Sequence, residues 1–267
     1  SYVSHVIGYL NYRGIKLTLL DLKVLRYPKQ IREQKHPLSH DEVKQILDQS
    51  NYKTKTLYLV LLSSGMRIGE TLQLRKKDFD TTGKRIMITI PAEVTKTKTE
   101  RRTFVSSEAS EYLMKRLNEI NDTDLVFRKN DSRLESVNEN QILARTTDKC
   151  FPNMEKYQSK TGKITLHSFR AFFITQAVRK VSDSFAHTLA GQMGYLSMYK
   201  RYDNDSLLED YLKLEPNLII NNDFGVIKDS DNKQIRELED RIEKMEKIHA
   251  KEYRLFKEFM TKTQESS

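Results

Sequence analysis

The spacing of hydrophobic and polar positions changes several times along this chain, and each change marks an element. Residues 1–27 read as an amphipathic piece around a turn at Arg13-Gly14. Residues 28–37, PKQIREQKHP, are charged and bracketed by prolines, which is a linker pattern. Ser39 then caps a helix, with Glu42 three residues on as a capping box. Helical spacing runs to about Ile46, resumes over residues 58–63 and again over 68–74. The DTTG at 80–83 is a turn, and the β-branched alternation of RIMITI at 85–90 predicts a strand. Residues 101–105 predict the returning strand, so 96–100 become the basic tip of a hairpin. A third strand is expected at 125–127. From Ser107 onward the pattern is mostly helical, with a loop at 151–163.

A second boundary falls at 217–231, where apolar sequence gives way to polar. Beyond it Ile235, Leu238, Ile242 and Met245 follow the 3-4-3 spacing of an a/d seam. His249 and Glu252 break the seam, so this C-terminal helix is either a short coiled coil or an amphipathic helix packed on its own domain. The expected organisation is an N-terminal piece (1–27), a linker (28–39), a main domain (40–220), a second linker (221–231) and a C-terminal helix (232–262). No internal repeat is visible.

Composition narrows the class. The chain has 267 residues, 37% apolar, enough for one sizeable core. Its 46 Lys+Arg against 37 Asp+Glu give a formal charge of +9, which suits a polyanionic partner such as nucleic acid. Cys150 is the only cysteine, so an internal disulfide and a cysteine-built zinc site are excluded, and a reducing, cytoplasmic setting is expected. No apolar run approaches the roughly 20 residues of a membrane helix. The N-terminus lacks the layout of a signal peptide and reads as mid-domain sequence, so a piece of a longer protein is expected. Neither GxGxxG nor GxxxxGK[ST] occurs, which argues against a nucleotide cofactor.

Four stations carry candidate chemistry. In SGMRIGE (64–70), Arg67 follows a glycine where a helix would begin, a place suited to phosphate. The plain alternative is a surface arginine paired with Glu70 at i,i+3. The second station is the hairpin tip TKTKTERR (95–102), whose lysines can reach a DNA backbone oxygen or simply face water. The third is His167-Ser168-Phe169-Arg170, where one helical turn presents an imidazole and a guanidinium on one face. Read in isolation it is a buried histidine beside a surface arginine. The fourth is LAGQMGY (189–195), followed by Tyr199 and Tyr202. A phenol with a pKa of about 10 is a poor nucleophile unless its proton is accepted and its charge met.

In this order the stations resemble the tyrosine recombinase (phage integrase) family: an arginine in G-x-R-x-x-E, a hairpin lysine, H-x-x-R, a glycine-containing box, then tyrosine. The resemblance covers roughly residues 40–215. The stretch from Gly194 to Ile219 also resembles the tail of archaeal and archaeal-virus integrases, and residues 1–27 resemble the end of the family's N-terminal core-binding domain. The resemblance implies an α+β fold, mostly α, with a small antiparallel sheet. It implies Arg67, His167 and Arg170 as catalytic residues, Lys96 as the catalytic lysine with Lys98 as alternative, and Tyr199 as nucleophile with Tyr202 as alternative. Gln192 stands where the family has histidine or tryptophan; glutamine can donate a hydrogen bond but cannot shuttle a proton. Lys98, Arg101, Arg102, Lys200 and Arg201 are the expected DNA contacts.

The activity so implied is site-specific recombination of duplex DNA through a 3′-phosphotyrosyl intermediate, with no metal and no cofactor. Its setting would be integration or excision of a mobile or viral element. The partners implied are double-stranded recombination sites and further copies of the chain, as a tetramer on DNA and a monomer or dimer in solution, away from membranes. A catalytically impaired DNA-binding relative and a type IB topoisomerase are the alternatives.

Overall fold

The computed structural model describes residues 2–24, 36–128, 135–152, 163–192, 203–221 and 245. The chain forms two compact units, Ser1–Lys35 and His36–Ser267. The first holds helix α1 (Tyr2–Tyr12) and helix α2 (Leu19–Val24). Between them Gly14 adopts φ 77°, a left-handed conformation that glycine takes without a Cβ penalty. That places the turn where the sequence puts it.

In the second unit, α3 (His40–Asp48) begins at Ser39 with the expected capping box: Ser39 Oγ accepts from the Glu42 N–H, and Glu42 accepts from the Ser39 N–H at 2.9 Å. Helix α4 (Tyr52–Ser64) is capped by Asn51 and starts six residues before the apolar run at 58–63. It is buried almost all round, because other elements cover it on every side. Helix α5 (Ile68–Thr71) is a single turn, shorter than the pattern at 68–74 predicts.

Strand β1 (Phe79–Asp80), β2 (Met87–Ile90) and β3 (Arg101–Phe104) form an antiparallel sheet in the order β1-β2-β3. Met87 pairs with Phe104 and Ile90 with Arg101, so the β2–β3 hairpin is the expected one. The third strand is not. Residues 125–127 make only one antiparallel bridge, Leu125 to Arg75, and β1 takes the outer place. Val126 and Phe127 are apolar because they are buried, with the Val126 N–H bonded to Leu74 O, not because they join a ladder.

Helices α6 (Ser107–Asn118), α7 (Glu135–Cys150), α8 (Leu166–Lys180), α9 (Asp183–Ala190) and α10 (Asn204–Leu214) complete the unit. Helix α8 is central and packs on α4, α7, α9 and α10. Phe169 and Phe173 are fully buried on it, and the Phe169 and Tyr58 rings lie 5.0 Å apart. Each such aromatic contributes about 1.5–3 kcal/mol by leaving water. The loop residues 153–162 and the seam residues Ile235, Leu238 and Ile242 lie outside the described residues. Among the described residues no helix is long and apolar enough to cross a membrane.

Candidate active site

The site is built on the C-terminal end of α4. Gly65 ends that helix at φ 65°, its N–H bonded back to Leu61 O. Three successive carbonyls left over by the helix end are then taken by three different elements. Tyr211 on α10 donates to Ser63 O at 2.8 Å, Thr103 on β3 donates to Ser64 O at 2.8 Å, and Arg170 on α8 donates to Gly65 O at 2.6 Å. A cation also suits the negative end of the helix dipole. A Cβ on Gly65 would lie 2.2 Å from the Phe173 ring, so the close approach of α8 requires glycine here.

Arg67 follows in extended conformation (φ −81°, ψ 143°) as the residue that opens α5. Its backbone N–H and its Nη1 both donate to Glu70, at 3.0 and 2.9 Å, and its Nη2 lies 3.5 Å from Gly191 O. The i,i+3 pair considered as the plain alternative therefore exists. It does not take Arg67 out of the site, because Arg67 lines the same cavity as the other stations.

Thr95 organises the hairpin tip. This buried threonine accepts from the Thr99 N–H at 3.0 Å, and its hydroxyl lies within hydrogen-bond distance of Ala92 O and Thr99 O. These bonds fold the tip into a turn. Lys98 sits at φ 53° with Nζ bonded to Glu93 O at 2.9 Å. Lys96 is exposed, with no hydrogen-bond or ion-pair partner among the described residues.

On α8 the burial of the H-x-x-R pair is the reverse of the isolated reading: His167 is exposed and Arg170 is 1% exposed. Arg170 Nε and Nη2 are buried with no hydrogen-bond partner among the described residues. Burial, then repulsion from Arg67 and Arg101, lowers the Arg170 pKa to about 10, with Glu70 pulling the other way. The guanidinium stays charged at neutral pH and lacks a full set of acceptors.

These residues meet at one cavity of about 570 Å³ lined by Arg67, Glu70, Lys96, Lys98, His167 and Arg170, with apolar walls from Met66, Ile68, Val94 and Leu166. Gln192 is half-buried, donates its N–H to His187 O, and is not among the cavity's lining residues. Tyr199, Lys200, Arg201 and Tyr202 lie outside the described residues. Tyr211 is fully buried with its phenol pKa raised by burial and then by Glu215, which makes it a core residue.

Arg102 is exposed, but Arg101, expected on DNA, is turned inward with its side chain 9% exposed. Glu70 was legible only as the glutamate of the arginine box; it is the buried hub that Arg67 and Arg101 share. Burial pushes its carboxyl up, and the Arg101 hydrogen bonds and charge, with those of Arg67, outweigh that and hold it below the usual range. Among the described residues no group of three or more His, Cys, Asp and Glu is placed to hold a metal ion.

Residues 36–205, which carry Arg67, Lys96, His167 and Arg170, match the family model described as the phage integrase family. The chain belongs to the phage integrase family. That is the family of tyrosine-type site-specific recombinases. Solved integrases share the fold. The integrase from mycobacterium phage Brujita is 17% identical with a TM-score of 0.51, covering 80% of this chain and 69% of that one. A lambda integrase dimer bound to a core site is 16% identical with a TM-score of 0.52, covering 74% and 71%. A lambda integrase tetramer bound to a Holliday junction is 17% identical with a TM-score of 0.53, covering 76% and 58%. No curated protein matches this chain.

Proposed function

We propose that this recombinase cleaves and rejoins duplex DNA through a 3′-phosphotyrosyl intermediate, to integrate or excise a mobile or viral element. The observation that carries the reading is Arg170: a buried guanidinium with two nitrogens that have no hydrogen-bond partner among the described residues, lining the same cavity as Arg67, Lys96 and His167. A scissile phosphate supplies the missing acceptors. Two arginine forks neutralise charge that grows on the non-bridging oxygens.

The reaction assigns each group one task. The phenolic oxygen of Tyr199, or of Tyr202, attacks phosphorus in line with the leaving 5′-oxygen. A Tyr–O–P bond forms as the P–O5′ bond breaks. His167 takes the phenol proton, and Lys96, the cavity lysine without a hydrogen-bond partner among the described residues, gives a proton to the 5′-oxygen. A 5′-hydroxyl of a second strand then reverses these steps and restores the phosphodiester. The energy of the broken bond is kept in the phosphotyrosine, so no nucleotide cofactor is consumed.

Residues 1–27 are proposed to end a core-binding domain that completes the clamp around DNA. The tetramer on paired duplexes is proposed by likeness to the lambda integrase assembly on a Holliday junction. Arg102 and the remaining basic residues would contact phosphates, so binding should weaken steeply with salt.

Gln192 favours a second reading, a DNA-binding relative with slowed chemistry, because it stands where the family has histidine or tryptophan and cannot shuttle a proton as histidine can. One experiment separates the two. The chain is incubated with duplexes randomised over about three helical turns, and DNA that stays attached through denaturation is recovered and sequenced. Mass spectrometry of the attached peptide names the tyrosine, and Tyr199→Phe and Tyr202→Phe confirm it. Adducts on a defined sequence support the recombinase. Binding without any adduct supports the impaired relative, and relaxation of arbitrary supercoiled plasmid points to a topoisomerase.

A further inference from the structure

We infer that Arg101 is a positioning residue for Arg67, acting through Glu70, and does not contact DNA phosphate. The inference rests on the recombinase reading above. Arg101 opens β3 immediately after the Lys96 hairpin, and its neighbour Arg102 faces solvent. The guanidinium of Arg101 is spent inside the protein. Nε donates to Leu189 O at 3.1 Å, Nη1 to Glu70 Oε1 at 3.3 Å and Nη2 to Glu70 Oε2 at 2.6 Å.

Glu70 is thereby filled. A carboxylate offers about four acceptor positions. Here Arg67 N, Arg67 Nη1, Arg101 Nη1 and Arg101 Nη2 all donate to it, and its side chain is 3% exposed. With both oxygens held, the carboxylate cannot rotate without breaking bonds to both arginines. The Arg67 fork is therefore aimed by a group on the far side of Glu70. Space for this is made at Gly191, where an added Cβ would fall 2.7 Å from Arg101 Nε. Arg101 thus ties three stations together: the strand that carries the Lys96 hairpin, the end of α9 at Leu189, and Arg67.

A phosphate contact predicts something different. It needs a fork turned to solvent, and it contributes to affinity for any duplex and to the salt slope. A positioning role predicts intact affinity and a slower chemical step, because small misplacement of a charge-stabilising group costs rate.

The test uses the full chain and the duplex recovered by adduct selection, nicked so that cleavage is trapped. Cleavage is followed at saturating protein, and affinity for the uncleaved duplex is followed by anisotropy across salt. Wild type, Arg101→Gln, Arg101→Lys, Glu70→Gln and the double variant Glu70→Gln/Arg101→Gln are compared, with circular dichroism melts to confirm that each is folded at the assay temperature. The expected result is a fall of about 100-fold in the saturated cleavage rate of Arg101→Gln, with affinity and salt slope unchanged. The double variant should be no slower than the slower single variant, since both act through one carboxylate. Arg101→Lys, which keeps charge but loses the fork, should recover only part of the rate.

An unchanged saturated rate with weaker binding, and a salt slope reduced by about 1, overturns the inference and makes Arg101 a phosphate contact. Additive losses in the double variant also overturn it. Wild type that binds DNA and forms no adduct overturns instead the recombinase reading on which it rests. If Arg101→Gln is unfolded, the decision falls to Arg101→Lys and to the double variant, in which the buried carboxylate charge is gone.

Discussion

Arg170 donates to the carbonyl oxygen of Gly65 at 2.6 Å across 105 positions of sequence, and that bond fixes a buried guanidinium against the end of a buried helix. Its other nitrogens, Nε and Nη2, are left without partners among the described residues. An anion of phosphate geometry should therefore stabilise the free protein. Inorganic phosphate at ten times its dissociation constant is expected to stabilise wild type by about 1.4 kcal/mol, read as a higher melting temperature. Arg170→Gln should abolish the specific part of that shift and lower the cleavage rate by about 100- to 1,000-fold. Thermal melts over a phosphate series, matched in ionic strength, provide the check.

Gly65→Ala should damage fold and site together. The new methyl would meet the Phe173 ring, and the residue would be held at a positive φ. Overpacking of this kind costs about 1–3 kcal/mol, and the left-handed backbone adds about 1–2 kcal/mol. A clear fall in melting temperature is expected, with the cleavage rate reduced even in the folded fraction because Arg170 loses its carbonyl anchor.

Glu70 gives the molecule an acid-side dependence. Its folded pKa lies below the ordinary value of 4.5, so the carboxylate's contribution is fully present above pH 4.5. It is lost as pH falls below that value through the lowered folded pKa. Glu70→Gln should cost about 2–4 kcal/mol at neutral pH, since two arginines lose a charged acceptor. The gap between wild type and variant should narrow as urea titrations move from pH 5 toward pH 3. A gap that stays constant would mean the carboxylate is not the stabilising partner.

Lys96 and Lys98 can be separated by the leaving group. If Lys96 gives a proton to the 5′-oxygen, Lys96→Ala should slow cleavage of an ordinary duplex by about 100-fold or more. Replacing the bridging 5′-oxygen by sulfur, which leaves without a proton, should restore most of the rate. Lys98→Ala should change it far less, because Nζ of Lys98 is already bonded to Glu93 O. Lys98→Gly should be neutral or slightly stabilising, since the residue sits at φ 53°.

What could be read in the sequence was whatever is written locally. The Ser39–Glu42 capping box, the turn at Gly14 and the residues within each of the four stations lie a few positions apart, and the β2–β3 pairing joins neighbouring segments. What could not be read depends on distant partners. Residues 125–127 look like a strand because burial and strand formation select the same side chains. The burial of Arg170 and the exposure of His167 invert the isolated expectation because Gly65, 105 positions away, supplies the carbonyl. Arg101 looks like one more basic residue in KTKTERR until Glu70 and Leu189 are placed beside it.

Among the described residues, the guanidiniums of Arg67, Arg101 and Arg170 gather around the carboxylate of Glu70, three positive charges to one negative. On the proposed function, a nucleic acid backbone brings the negative charge that offsets this excess. In practice, host nucleic acid should cling to the chain during purification, and stripping it with strong salt should leave a preparation less robust than the one it came from.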